Sequence, residues 1–278
     1  MKQKFAVLLS SCLLFLAACT GLGTLPSDAS PEQNHLSAPD FEKPDYQIDT
    51  VASQKQFHME DGTELARYDY QLLSLSVPNL ENLSPEEAEP AQRNIDNFNS
   101  KMVSIMEDSV HVGQDLGDAA QYDHDTFGLR TAYYDETTAS AALLGQMISV
   151  RIDNTSYTGG AHPNRYTFSF LFDLESGQFI NPIQIAENPE SFRTGAADLL
   201  LKRADAIPEN EGNYWLDYKE IIAHWNEAAV LFDRDGMLVI YSPYDLGPYA
   251  MGDVELRLTW DEVKELAGKT SLEHFGIT

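Results

Sequence analysis

Cysteine is scarce in this sequence, and the positions of its two cysteines exclude much of the chemistry that cysteine supports. Cys12 lies inside an apolar run near the N-terminus, and Cys19 directly follows that run. If this segment is removed on export, Cys19 is the one cysteine left in the chain. We therefore expect no disulfide, no thiol nucleophile and no cysteine-ligated metal in the folded part of the protein.

Basic residues are also few. The chain has 18 Lys and Arg against 44 Asp and Glu, and its net charge is −26. Such a surface repels nucleic acid and anionic lipid, and it attracts basic partners by long-range steering. The composition therefore predicts no nucleic-acid partner and favours a basic one. A role of the charge in solubility alone stays open.

The one long apolar run, residues 5–18, is too short for a comfortable membrane span and follows two lysines, as in a signal peptide. It ends in Leu-Ala-Ala before Cys19, which resembles a bacterial lipobox, although an ordinary secretory signal with an incidental cysteine is the alternative. We predict a lipoprotein signal peptide at 1–18, a lipidated Cys19, and a flexible proline-containing tether over 19–45. The protein would be anchored on the extracytoplasmic face of the cell membrane, which is a periplasmic face in a diderm host. Cleavage would remove two lysines and no acid, and so change the net charge from −26 to −28.

Catalytic motifs are absent as well. The sequence has no Gly-x-Ser-x-Gly elbow and no glycine-rich phosphate loop, and its seven histidines are scattered without metal-ligand spacing. The stretch from Asp233 to Gly236 begins like a calcium loop, but Tyr244 stands where the bidentate glutamate belongs, so a hairpin turn explains it better. We expect no enzyme, no cofactor and no metal. A pair of acids of the glycosidase type stays open, since an acidic chain contains some such pair by chance.

Hydrophobic periodicity predicts an α+β fold with antiparallel sheets and helices packed against them, in two associated subdomains, 46–163 and 164–278. Alternating runs at 148–152 and 166–172 predict a long hairpin. Helices are expected after Ser84, after Asn188 and over Tyr214 to Trp225. A second hairpin over 229–241, a strand over 254–258 and a capping box of Thr259 with Glu262 complete the prediction.

Two loops are the candidate functional segments. The first contains Gly159 and Gly160, which can adopt positive φ, and His162, which Pro163 restricts to extended geometry. His162 could either donate to a neighbouring carbonyl and rigidify the turn, or help to present a polar and aromatic tip to a partner. The segment 241–252 poses the same choice. The candidate partner-binding residues are Tyr157, Gly159, Gly160, His162, Asn164, Tyr244, Asp245 and Tyr249.

Two strings in these loops carry a family resemblance. YTGGAH at 157–162 and SPYDLGPYAMG at 242–252 resemble the extracytoplasmic domain pair of the lysozyme-sensing anti-sigma factor RsiV, which also precedes the catalytic domain of PdaC-type peptidoglycan deacetylases. The second string usually has Glu where Asp245 stands. The resemblance runs from about residue 46 to 268, with a PdaC/RsiV-like first domain and an RsiV C-terminal-like second domain. It implies a non-enzymatic α+β pair that binds lysozyme. Nothing resembling a deacetylase or an anti-sigma segment is present, so neither activity is expected.

These observations lead to one hypothesis and one alternative. The hypothesis is a membrane-anchored lipoprotein that binds or sequesters lysozyme or another cationic envelope protein, because lysozymes of the c type are small basic proteins that an acidic domain would steer. The alternative is an accessory module that binds peptidoglycan or helps to process the cell wall. Neutral wall glycan is compatible with the charge, whereas anionic wall polymers are not.

Overall fold

The computed structural model describes residues 42–128, 131–268 and 270–277. Its larger sheet has six strands in consecutive order. They are β1 (Gln47–His58), β2 (Glu64–Ser76), β3 (Tyr133–Leu144), β4 (Met147–Tyr157), β5 (Asn164–Asp173) and β6 (Gln178–Ile180). The predicted hairpin is confirmed, because β4 and β5 pair antiparallel from Met147 opposite Asp173 to Ser156 opposite Asn164.

One pair of strands departs from the antiparallel prediction. β2 and β3 are parallel, with Ala66 opposite Tyr133 and Gln71 opposite Thr138. Parallel neighbours need a long crossover, and helix α1 (Pro85–Phe127) supplies it. Its 43 residues span about 65 Å at 1.5 Å per residue, which returns the chain to the end of the sheet where β2 begins. The larger sheet is therefore mixed, with this parallel pair among antiparallel neighbours.

The apolar face of α1 belongs to the core, as its periodicity predicts. Phe98 and Met102 are buried, and the ring of Phe98 meets that of Phe172 on β5 edge-on, with centroids 5.5 Å apart. The helix begins at Pro85, and the Ser84 hydroxyl donates to the Glu87 carboxylate at 3.0 Å rather than capping a backbone N–H. The helix therefore starts after Ser84 as predicted, although the Ser84 side chain does not cap it.

The second sheet has three antiparallel strands in the order β7-β8-β9. The remaining elements are α2 (Pro189–Asp205), α3 (Tyr218–Ala223), β7 (Ala229–Asp233), β8 (Gly236–Tyr241), β9 (Val254–Thr259) and α4 (Trp260–Ala267). Phe192, Trp225, Val239 and Leu258 are fully buried between this sheet and its helices. The Thr259–Glu262 capping box is confirmed at the start of α4. The fold is α+β with two sheets.

The helix predicted over Tyr214 to Trp225 is much shorter than expected. α3 contains six residues, and Trp215 lies before it in non-helical chain. The backbone N–H of Trp215 donates to the carbonyl of Leu246 at 2.8 Å, and its indole N–H donates to the carbonyl of Tyr244 at 3.1 Å. These two bonds replace the helical hydrogen bonds that periodicity alone suggests.

Side-chain hydroxyls link the two sheets. Ser149 accepts a hydrogen bond from the backbone of Phe232 at 2.8 Å, and Ser169 accepts one from Val230 at 2.6 Å. The boundary predicted between residues 163 and 164 lies in the turn between β4 and β5, which pair with each other. The division into two subdomains stays a prediction. Among the described residues, no helix has both the length and the apolar character that crossing a bilayer requires.

Candidate partner-binding site

The first candidate loop is the turn between β4 and β5. Gly159 and Gly160 adopt φ values of +92° and +103°, which strongly favour glycine. The Tyr157 hydroxyl donates to the carbonyl of Gly160 at 3.1 Å and closes the turn. Its ring stacks on Tyr134 of the neighbouring strand β3, with centroids 5.7 Å apart. Tyr157, Gly159 and Gly160 therefore shape the loop.

The second candidate loop leaves the end of β8 through a tight turn. The N–H of Asp245 donates to the carbonyl of Ser242 at 3.0 Å, and the N–H of Ser242 donates to the Asp245 carboxylate at 2.7 Å. Tyr244, inside this turn, has φ of +79°, and no other non-glycine residue in the described chain has a positive φ. A bulky residue held in the left-handed region stores strain, and such strain is often found at functional sites. Tyr244 is also 53% exposed.

His162 brings the two loops together. Its ring stacks on that of Tyr249, with centroids 3.7 Å apart and planes 15° apart. The hydroxyl of Tyr244 lies 3.3 Å from Nε2 of His162, and the Tyr244 and Tyr249 rings are 5.6 Å apart. We call His162, Tyr244 and Tyr249 the aromatic cluster. Residues more than eighty positions apart in sequence thus form one surface feature.

Hydrogen bonding defines the tautomer of His162. Its Nδ1 lies 3.0 Å from the carbonyl oxygen of Pro163, which can only accept, so Nδ1 carries the proton. With the proton on Nδ1, Nε2 is free to accept from the Tyr244 hydroxyl, 3.3 Å away. His162 therefore braces the turn, which is the first alternative that the sequence left open, and it also contacts an exposed tyrosine. Its role in presenting the loop to a partner stays a prediction.

Two further contacts fix the loops relative to each other. The N–H of Thr167 on β5 donates to the Ser242 hydroxyl at 3.0 Å. Arg165 forms an ion pair with Asp253 at 3.4 Å. Asn164, the remaining candidate of the first loop, is exposed at the start of β5. Cys19, the predicted lipidation site, lies outside the described residues.

An acidic pocket adjoins the aromatic cluster. It has a volume of about 590 Å³ and lies between the α3 region and the turn at 241–245. Its lining includes four carboxylates, from Asp217, Glu220, Glu227 and Asp245, together with His224 and the rings of Tyr241 and Tyr244, and it includes no lysine or arginine. We call it the acidic pocket. A cavity with this lining attracts cations and repels anions.

Burial raises the pKa values of two groups at this pocket, Asp245 and Tyr241. Partial loss of solvent, reinforced by the negative charge of Asp253, raises the pKa of the Asp245 carboxyl although the Ser242 N–H opposes the shift. Loss of solvent, together with the nearby Asp245, raises the pKa of the Tyr241 hydroxyl. Both shifts lessen if a positive charge enters.

Sequence reasoning missed part of this site. It identified Tyr244, Asp245 and Tyr249 but did not single out Asp217, Glu220 or Glu227. The spacing of Asp217 and Glu220, three positions apart, could have placed two acids on one helical face. In the described chain, no group of three or more His, Asp or Glu side chains has an arrangement that could hold a metal ion.

Comparison with known proteins identifies one domain within the second half of the chain. Residues 184–261 match the family model described as a protein of unknown function, DUF3298. The chain carries a DUF3298 domain. The match includes the acidic-pocket residues and the segment 241–252, and it begins after the loop that contains His162. A search of curated proteins found no match.

Two solved structures of DUF3298 proteins resemble this one. A family member from Bacteroides fragilis has a TM-score of 0.58 and 16% identity, over 84% of this chain and 98% of that one. A DUF3298 family protein from Pseudomonas aeruginosa has a TM-score of 0.51 and 10% identity, over 82% of this chain and 96% of that one. At these identities the likeness concerns the fold alone. It extends well beyond the matched residues into the first half of the chain.

Proposed function

We propose that this protein is a non-enzymatic binding module, held by a lipid on Cys19 at the extracytoplasmic face of a membrane, that captures a cationic envelope protein of the lysozyme type. The observation that carries the proposal is the convergence of the aromatic cluster and the acidic pocket on one surface. Aromatic side chains are enriched in protein interfaces, and complementary charge steers the partner and gives specificity.

Charge supports a basic partner over other ligands. The net charge of −26 raises the local concentration of a basic protein, and the acidic pocket concentrates that field beside Tyr244. The resemblance of the two loops to the ectodomain of a lysozyme-sensing anti-sigma factor supports a c-type lysozyme as the probe. The lipobox-like segment before Cys19 supports the anchor.

Rigidity supports binding as well. Tyr244 is held by its own hydrogen bond to His162 and by the indole of Trp215, which donates to its carbonyl at 3.1 Å. A side chain that is fixed before binding loses little conformational entropy in the complex. An exposed, pre-oriented tyrosine is therefore suited to be a contact residue.

The test is a calorimetric titration of the protein from Thr20 onward with a c-type lysozyme, at low and at physiological salt. We expect micromolar or tighter binding that weakens with salt and is accompanied by loss of lysozyme activity. His162→Ala and Tyr244→Ala should each weaken it, whereas Tyr122→Ala, which removes an exposed tyrosine from α1, should not. If no heat and no inhibition appear at either salt, the proposal fails for lysozyme, and wall glycan becomes the ligand to test.

The predicted anchor needs its own test. Growth of cells that make the protein with a radiolabelled fatty acid should label the wild-type chain, and Cys19→Ala should abolish the label. Retention of the label by Cys19→Ala would contradict the assignment of the anchor to this residue.

A further inference from the structure

Tyr241, which lines the acidic pocket, has a buried hydroxyl without a partner. Tyr241 is 1% exposed and lines the pocket, and its hydroxyl makes no hydrogen bond. A buried polar group without a partner lowers stability by about 1–3 kcal/mol, so native proteins rarely keep one without a reason. Unlike the exposed carboxylates, this hydroxyl has no solvent to satisfy it.

Three of the carboxylates around the pocket also form no ion pair with a basic side chain of the described part of the protein. Among the described residues, Asp217, Glu220 and Glu227 form no ion pair, and the ammonium of Lys219 on α3 lies over the ring of Tyr218, at 5.6 Å from its centroid. Asp245 approaches from the opposite wall, where its carboxylate accepts the Ser242 N–H. The pocket thus combines negative charge on two walls with a lining tyrosine whose hydroxyl has an unused hydrogen-bonding capacity.

We propose that the acidic pocket is the recognition site for an arginine side chain of the partner protein, whose guanidinium donates to Tyr241 and to the carboxylates around it. This proposal rests on the proposed function, because it names the chemical group through which the cationic partner is held.

The chemistry of the pocket favours guanidinium over ammonium. Guanidinium carries several N–H donors in a planar array and can donate to both walls and to the hydroxyl at once, whereas ammonium is a more strongly hydrated point charge. The exposed ring of Tyr244 at the edge adds a face on which a planar cation can stack. The volume of about 590 Å³ falls within the range of roughly 300–1,000 Å³ that is usual for ligand pockets.

A small probe tests the site without lysozyme. The full-length chain in neutral detergent is titrated with Nα-acetyl-L-arginine amide, and binding is followed by chemical-shift changes of backbone amides. We expect saturable binding in the millimolar range with shifts centred on residues 217–228 and 241–245. The matched neutral isostere, Nα-acetyl-L-citrulline amide, should not saturate, and Nα-acetyl-L-lysine amide should bind more weakly. Equal binding of the citrulline or the lysine amide would overturn the assignment to guanidinium.

Two variants make the inference sharper. Tyr241→Phe removes the hydroxyl without changing the ring, and we expect about a tenfold loss of affinity for the arginine amide, the size typical of one hydrogen bond to a charged group. Its melting temperature should not fall, since the hydroxyl has no partner to lose. Glu107→Gln, on α1, is the control and should bind as the wild type does. Unchanged affinity of Tyr241→Phe would overturn the role of this hydroxyl.

The two proposals can fail separately. Binding of the arginine amide without binding of lysozyme would retain the pocket and remove lysozyme as the partner. Binding of lysozyme that Tyr241→Phe and Glu220→Gln leave unchanged would retain the binding function and contradict the pocket as its recognition site.

Discussion

Carboxylates lie near both ends of strand β8, but the pair of Asp233 with Arg257 at its start has no counterpart among the residues that line the acidic pocket at its end. Where the strand begins, the Asp233 carboxylate accepts hydrogen bonds from both terminal nitrogens of the Arg257 guanidinium, at 2.6 and 2.8 Å. Where it ends, the acidic pocket is lined by carboxylates and by no lysine or arginine. The first arrangement satisfies a carboxylate within the fold. The second leaves charge that the fold does not neutralise, and it lies at the end of the sheet where we propose that a partner binds.

The pKa values of two aspartates follow the same division. Burial raises the pKa of Asp233, but the hydrogen bonds from Arg257 and from the Asp235 backbone outweigh it and hold the pKa below its usual value. At the other end, loss of solvent and the charge of Asp253 raise the pKa of Asp245. The fold therefore stabilises the ionised form of one carboxylate and destabilises that of the other.

The largest effect is expected from removing charge at the pocket. The double substitution Glu220→Gln and Glu227→Gln should weaken lysozyme binding at least about tenfold, because both carboxylates line the pocket that we propose to receive the partner's positive charge. Calorimetry measures the change. The matched double substitution Glu107→Gln and Asp108→Asn, in exposed positions on α1, should change the affinity much less. Equal losses in the two variants would mean that net charge alone, and not the pocket, determines binding.

The next largest effect is expected on stability, from breaking the ion pair between Asp233 and Arg257. Arg257→Ala should lower the free energy of unfolding by about 1–2 kcal/mol, because Asp233 is left partly buried without its cation, although solvent screens a pair whose side chains are about one-third exposed. Chemical denaturation provides the measurement. Arg234→Ala, an exposed neighbour, is the control and should stay within about 0.5 kcal/mol of the wild type. Equal stability of both variants would remove the contrast between the two ends of β8.

A smaller effect should come from the strained turn. Tyr244→Gly should be more stable than Tyr244→Ala by about 1 kcal/mol, because only glycine adopts the positive φ without strain. The two variants both lack the ring, so each should lose partner affinity to the same degree. At an ordinary extended position alanine is the more stable of the two. If alanine is also the more stable residue at 244, the turn is not strained in solution.

The smallest effect is expected on the free energy of unfolding at acidic pH. Because the folded-state pKa of Asp233 is depressed, its stabilising contribution is complete above its unfolded pKa of about 3.9 and is lost as the pH falls through the folded value. The stability difference between the wild type and Asp233→Asn should therefore be constant near neutral pH and should shrink below about pH 4. Asp108→Asn serves as the control. A difference that does not change with pH would contradict the depressed pKa.

Local signals predicted much of this fold. Strict alternation indicated the β4–β5 hairpin, and the Thr259–Glu262 pair indicated the start of α4. The parallel register of β2 and β3 was not predictable in this way, because it depends on the length of α1 and on where that helix returns the chain. Periodicity also cannot show that Trp215 bonds to the 244–246 backbone, which shortens α3.

The site was predictable in its loops and not in its pocket. Glycines, prolines and aromatic residues marked both loops, and the contact of His162 with Tyr244 and Tyr249 brings them together. The pocket depends on tertiary placement, because Asp217, Glu220 and Glu227 are ordinary surface acids until the turn at Tyr241 and Asp245 closes over them. The sequence pattern also cannot show that the Tyr241 hydroxyl is buried without a hydrogen-bond partner, because this depends on the three-dimensional positions of its neighbours.

If the acidic pocket binds a cationic partner, the salt dependence of lysozyme binding should change when carboxylates of the pocket are removed. Affinity is measured at several salt concentrations for the wild type and for the Glu220→Gln, Glu227→Gln double variant. We predict a steep loss of affinity with salt for the wild type and a clearly shallower loss for the variant, because screening acts on charge that the variant lacks. Identical salt dependence in the two proteins would contradict the account.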